Sequence, residues 1–209
     1  SQVMLDGSEL VAGSMGDLGC FSFFPSKNMA VGGEGGMLTT TVSELTGAVS
    51  LVVNHGRSPS LESMQLGSNL RKSEVSAAIG TVQLKHLDNW VARRRAIAQQ
   101  YNDEFADLTL VATPKTRPGA KHAWHQYCLT TNYPDQLVNH LDSHGIDARR
   151  YYSTPCHKQA VFANHPQHNE TLPITDKLSN SLVAIPVMHE LSDIEAQRVI
   201  EAVATFSVN

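Results

Sequence analysis

The chain has 209 residues, 41% apolar and 17% charged, with a formal net charge of −4 from sixteen basic and twenty acidic side chains. That length supports one large domain or two small ones around a hydrophobic core, and the composition is ordinary for a soluble globular protein. Nucleic acid is disfavoured as a partner, because phosphate binding needs a concentrated basic footprint and the run that stands out is "ARRRA" at 92–96.

No apolar stretch approaches the ~20 residues of a membrane span. The start, "SQVMLDGSEL", has neither the basic opening nor the apolar core of a signal peptide. Cys20, Cys128 and Cys156 are far apart and show no C-x-x-C spacing, so a disulfide framework or structural zinc is not expected. A reducing, cytoplasmic location fits this usage. Cys20, in an apolar strand, is expected to be a small buried residue.

Residues 1–40 alternate short apolar runs with glycine-containing turns and read as a hairpin-like β region. A short helix is predicted over 43–53, N-capped by Ser43 or Thr41, and a loop rich in Ser, Gly and Asn follows. From Ser73, the residues Val75, Ile79, Val82, Leu87, Trp90, Ile97, Tyr101 and Phe105 recur mostly at spacings of three, four or seven. That is one apolar face of a helix, or of two in succession, with Ser73 as N-cap and Glu74 at the positive end of the dipole. "LDN" at 87–89 is the predicted break or bend. Beyond about residue 108 strands and helices alternate. "HAWHQYCLTT" reads as a strand, "YPDQLVNHLDSHG" as a helix ended by Gly145, and "IDARRYY" as a strand. "LSDIEAQRVIEAVATF" reads as a closing amphipathic helix capped by Ser192. This last part reads as a small α+β domain.

Ten histidines raise the question of a metal. Catalytic zinc on a helix takes two His at i and i+4 beside a carboxylate. "HPQH" contains a proline and "HAWH" lies in a predicted strand, so no metal site is expected.

The stretch "FSFFPSKNMAVGGEGGM", residues 21–37, carries the most chemistry. Lys27 follows an aromatic strand and precedes four glycines, Gly32, Gly33, Gly35 and Gly36. Three readings compete: a surface lysine snorkelling from a strand end, a phosphate-binding loop, or a Schiff-base lysine. The Walker pattern puts its lysine after the glycines and a Ser or Thr after the lysine, and neither holds here. An amine becomes nucleophilic beside an apolar wall or another cation. Phe21, Phe23, Phe24 and Pro25 could form that wall, and the Ser22 hydroxyl could hold a phosphate oxygen. The third reading is favoured on chemistry, and the glycines are expected to shape a turn.

Two blocks carry a resemblance: "GSMGDLGCFSFFPSKNMAVGGEGGML", and "LGSNLRKSEVSAAIGTVQLKHLDNWVARRRAIAQQYNDEF". The first is similar to the Gly-Asp, S-F-x-x-x-K and Gly-rich segment of the DegT-type sugar aminotransferases, fold-type I enzymes that use pyridoxal 5'-phosphate. The second is similar to that family's G-x-N-x-R block, and weaker matches such as "HAWHQY" and "RRYYSTPCHKQAVF" follow in the same order. The resemblance implies an α/β fold, the C-terminal part of a fold-type I transferase. Residues 1–72 would be a remnant of the large cofactor-binding domain, 73–107 linking helices and 108–209 a small α+β domain.

It also implies roles. Lys27 would bind the cofactor covalently and shuttle protons, and Ser22 would bind its phosphate. Asn69 and Arg71 would reach that phosphate from the partner of a homodimer with shared active sites. Gln2 would lie beside the ring hydroxyl, and His157 would contact the nucleotide sugar. Glutamate is the implied amino donor, and a nucleotide-linked keto sugar the implied acceptor. Family members are longer, and the resemblance puts the Asp that pairs with the pyridinium nitrogen ahead of residue 1. Lys72 stands where the family usually has Met. A fragment of a longer enzyme is therefore the expectation. A piece of a split enzyme and a non-catalytic binding or assembly remnant are the alternatives.

Overall fold

The computed structural model describes residues 1–5 and 7–208. They form two compact units: 1–90 with 117–123, and 91–116 with 124–209. No helix of the described residues is long and apolar enough to cross a membrane.

The first unit opens with an antiparallel hairpin, β1 (Gln2–Leu5) and β2 (Ser8–Val11), in which Gln2 faces Val11. A second hairpin pairs β3 (Gly19–Ser22) with β4 (Gly36–Thr39), Ser22 facing Gly36. Helix α1 (Ser43–Val53) has the predicted bounds, but its N-cap is Val42 and no side chain caps it. Instead, Thr40 Oγ1 accepts the Val42 N–H at 3.0 Å. Helix α2 (Glu74–Leu84) starts as predicted on Ser73, whose hydroxyl accepts the Ser76 N–H. The helical run breaks at Lys85 and His86, and "LDN" begins α3 (Leu87–Glu104) rather than bending it.

A short excursion from further down the chain completes this unit. Strand β5 (Ala120–Lys121) adds to the free edge of β1, Gln2 facing Lys121, and Lys121 Nζ meets Glu9 at 3.0 Å across the sheet. Among the described residues of this unit, Phe23 and Val31 are the buried large apolar side chains. Val75, Val82 and Leu84 of α2 stay exposed. Cys20 is exposed as well, against the expectation of burial, because alternation along β3 turns Phe23 inward from the hairpin's end and leaves Cys20 outside.

The second unit has the larger core. Strands β6 (Tyr127–Thr130) and β7 (Leu182–Ile185) pair antiparallel, Tyr127 facing Ile185 and Thr130 facing Leu182. Period-two alternation buries Tyr127 and Leu129. They pack with Ile97 and Tyr101 of α3 and Phe105 just past its end, with Leu137 and Leu141 of α4 (Pro134–Ser143), and with Val199 and Val203 of α6 (Asp193–Ala204). In chain order α5 (Pro173–Ser179) lies between α4 and α6. Gly145 takes φ +71° just past α4, the left-handed stop expected of it. Ser192 caps α6 in a full capping box with Glu195. Two predicted strands shrink: "HAWH" stays outside β6, and "IDARRYY" contributes a single bridge, Arg149 to Ala184.

Among the described residues, one charged side chain is buried in this unit. Arg94, 5% exposed, donates through Nη1 to the carbonyls of Trp124 at 3.0 Å, His125 and Val187. Burial pulls its pKa below the usual guanidinium value, with Glu190 acting the other way. Three carbonyls from two distant segments thus converge on one side chain, so Arg94 closes the core where no strand pairing does. Arg94→Ala should destabilise this unit by about 3 kcal/mol, because the carbonyls stay buried without a donor. Urea unfolding followed by fluorescence checks this, and Arg94→Lys should recover only part of the loss.

Candidate active site

The segment that carries Lys27 is shaped by backbone bonds. The β3–β4 pairing extends past Ser22, with Phe23 N–H donating to Gly35 C=O at 2.8 Å. The chain then turns: Lys27 N–H donates to Phe24 C=O at 2.8 Å, with Pro25 at the second position, where its fixed φ favours a turn. Ser22 Oγ accepts the Phe24 N–H at 3.4 Å, which leaves the hydroxyl proton to point elsewhere. Ser22 and Lys27 therefore flank one tight turn. Ser22 is exposed and Lys27 half-buried.

The expected aromatic wall is thinner than four residues. Phe23 is buried, with the Lys72 ammonium 5.0 Å from its ring centre. Phe24 is 45% exposed. Phe21 lies on Gly13, where an added Cβ would come within 2.3 Å of the ring. Gly13 has φ +95°, so both space and backbone demand glycine there. The glycines after Lys27 do shape a turn. Gly32 has φ +76°, and a Cβ on Gly35 would come within 2.5 Å of the buried Val31.

The residue after the lysine, which the sequence did not single out, ties the segment down. Asn28 Nδ2 donates to Ala123 C=O at 2.6 Å, and Ala123 N–H donates to Ser1 Oγ at 3.2 Å. Ser1 precedes Gln2, which is half-buried on β1. The backbone of a single residue, Ala123, thus brings the neighbours of Lys27 and Gln2 together across a sequence gap that no motif spans. From α2, Gln83 Oε1 accepts the Ala30 N–H at 2.9 Å and holds the exit of the same segment.

Asn69 and Arg71 gather around a third amide. Arg71 Nη1 donates to Asn54 Oδ1 at 2.8 Å, and Arg71 Nε to Asn69 Oδ1 at 3.2 Å. His157 belongs to the second unit, in a 3-10 turn over Cys156–Lys158. Its Nε2 is buried without a hydrogen-bond partner among the described residues. Next to it, Lys158 Nζ lies 2.5 Å from Asp176, and that hydrogen bond, more than any other influence, holds the Asp176 carboxyl below its usual range. Among the described residues no group of His, Cys, Asp and Glu is arranged to hold a metal ion.

An amine and a hydroxyl flank one turn, a pair of groups suited to an aldehyde that bears a phosphate. Pyridoxal phosphate fits that description. Residues 7–204 match the DegT/DnrJ/EryC1/StrS aminotransferase family. The chain belongs to that family.

Among its DegT relatives, the pleiotropic regulatory protein of Geobacillus stearothermophilus is 36% identical over 196 residues, covering 93% of this chain and 53% of that protein. The dTDP-3-amino-3,4,6-trideoxy-alpha-D-glucose transaminase of Streptomyces venezuelae is 32% identical over 197 residues, 94% of this chain and 52% of the transaminase. The crystal structure of S. venezuelae DesV in complex with a ketimine intermediate superposes with a TM-score of 0.89 at 31% identity, over 97% of this chain and 55% of DesV. The chain spans about half the length of the curated relatives it matches. Its α/β architecture is that of part of a fold-type I DegT-family aminotransferase.

The Lys158–Asp176 pair gives a pH test. A depressed folded-state pKa adds stability above the unfolded-state pKa, and that stability is lost as pH falls through the folded value. Lys158→Met should raise the Asp176 titration toward its ordinary value and flatten the acid limb of the melting-temperature profile. Carboxyl-carbon NMR and thermal melts against pH read both.

Proposed function

We propose that this chain is part of a pyridoxal-phosphate-dependent aminotransferase that moves an amino group from glutamate to a nucleotide-linked keto sugar. The observation that carries this reading is Lys27 on a turn fixed at both ends, by the hairpin at Ser22 and by Asn28 on Ala123, in a chain of an aminotransferase family. The transaminase relative is named for a dTDP-linked amino sugar, which supports a nucleotide sugar as acceptor.

When bound, the cofactor supplies an electron sink that makes the donor's Cα proton acidic. The chain's own residues do the rest. Lys27 Nζ holds the cofactor covalently and afterwards carries the proton taken from the donor. The Ser22 hydroxyl donates to a phosphate oxygen, and Arg71 offers the same phosphate a charged fork from the partner protomer. The Gln2 amide lies beside the ring hydroxyl, and His157 binds the acceptor. In this reading residues 1–72 belong to the cofactor-binding domain, 73–107 link and 108–209 form the small domain. The enzyme acts in the cytoplasm as a homodimer. The exposed Val75, Val82 and Leu84 of α2 support a partner surface.

A second reading, a binding or assembly protein without catalysis, has one support: a relative named as a pleiotropic regulatory protein. Mixing purified protein with pyridoxal phosphate, trapping with borohydride and mapping the label by mass spectrometry separates the two. The label is expected on Lys27, and glutamate should yield 2-oxoglutarate before trapping. Lys27→Ala should lose both signals, and Ser22→Ala should weaken cofactor uptake by about tenfold. A folded protein that takes up no cofactor would establish the second reading instead.

A further inference from the structure

We propose that Asn54 is a positioning residue, which aims the Arg71 guanidinium at a phosphate monoester while leaving its charge undiminished. Nothing in the sequence pointed to Asn54, which stands at the C-terminal end of α1 ahead of a polar loop.

The geometry is a closed platform. The segment after the loop lies along the last turn of α1: Ser68 N–H donates to Val52 C=O at 2.8 Å, and Leu70 N–H to Val53 C=O at 3.0 Å. From the other side His55 N–H donates to Ser68 C=O at 3.1 Å, and Asn54 and Asn69 form an antiparallel bridge. Two glycines let the strands of the loop approach this closely. A Cβ on Gly67 would come within 2.2 Å of the Gly56 nitrogen, and one on Gly56 within 1.7 Å of Gln65 O. Asn54 is itself pinned, its N–H donating to Leu51 C=O and its C=O accepting from Arg57 N–H. The backbone that carries the Asn54 side chain is therefore held, and its Oδ1 is the acceptor that orients Arg71 Nη1.

The chemistry of the two acceptors is the second observation. Both Asn54 Oδ1 and Asn69 Oδ1 are neutral amide oxygens. Among the described residues no carboxylate pairs with Arg71, whereas Arg93, Arg149 and Arg150 each meet an aspartate. A carboxylate would orient the fork equally well but would cancel the charge. Amides orient it and keep the full positive charge for an external anion, with Nη2 left over for bidentate contact. Arg71 is exposed, so an anion can reach it.

The proposal rests on the reading that Arg71 meets the cofactor phosphate, and the test keeps the two apart. Apparent dissociation constants are measured by absorbance titration with pyridoxal 5'-phosphate and with pyridoxal, which lacks the phosphate, for wild type, Arg71→Ala, Asn54→Ala and Asn54→Asp. Asn54→Asp keeps shape and acceptor but brings a carboxylate to Arg71, so it decides the matter even where Asn54→Ala folds poorly. The expectation is that Arg71→Ala and Asn54→Asp both weaken pyridoxal phosphate binding by about tenfold, and Asn54→Ala by about threefold. Pyridoxal should bind all four proteins alike, and inorganic phosphate should compete more weakly in the variants. Loss in Arg71→Ala with wild-type affinity in both Asn54 variants would overturn the proposal and leave the cofactor reading standing. Equal phosphate affinity in wild type and Arg71→Ala would overturn the role of Arg71, and the proposal with it.

Discussion

The backbone N–H and C=O of Ala123 are the constraint on which the candidate site depends. Backbone groups need partners, and here both come from side chains that flank the candidate positions Gln2 and Lys27. Ser1 takes the N–H and Asn28 supplies the donor to the C=O. The excursion that delivers Ala123 is short, and β5 is only two residues long. It holds its place through the Gln2–Lys121 pairing and the Lys121–Glu9 bridge. A surface ion pair of this kind contributes little energy, so the backbone pairing and the two side-chain bonds on Ala123 carry the arrangement.

What the sequence showed was whatever local chemistry dictates. Ser73, Ser192 and Gly145 act within one turn of where they stand, and each does in the structure what its type predicts. The α1 cap shows the limit. Ser43 and Thr41 had the right chemistry, but the chain enters from an extended Val42, whose own N–H meets Thr40, and no side chain caps the helix. "IDARRYY" failed as a strand for a tertiary reason. Its apolar pattern suits a sheet, but the pairing offered by β7 extends to a single bridge at Arg149. Propensity proposes a strand, and available edges decide its length.

The same division holds around the candidate site. The turn between Ser22 and Lys27 was legible because a proline and a run of glycines announce themselves in contiguous sequence. Asn28, Asn54 and Gln83 were not, since an amide side chain says nothing about which distant carbonyl or N–H it will meet. Cys20 and the aromatic wall were misjudged for a related reason. Apolar composition predicts burial, but on a short hairpin the alternation sends neighbours to opposite faces. Phe23 went inward, and Cys20, Ser22 and Phe24, of the other parity, stayed outside.

The arginines of the chain show how surroundings assign a task to one chemical group. Arg94 is buried and donates to backbone carbonyls, so its charge serves the core at the cost of desolvation. Arg93, Arg149 and Arg150 meet aspartates at the surface, where the pair largely cancels and the structure gains little. Arg71 belongs to neither class. It is exposed, yet two pinned amide oxygens restrict it, so it has lost the freedom of a surface side chain without gaining a counter-charge. Fixing a long cationic side chain costs conformational entropy, and two neutral hydrogen bonds at the surface barely offset that cost. An ordered, uncompensated guanidinium is poor economy for stability alone; it becomes favourable when an anion arrives to complete the fork.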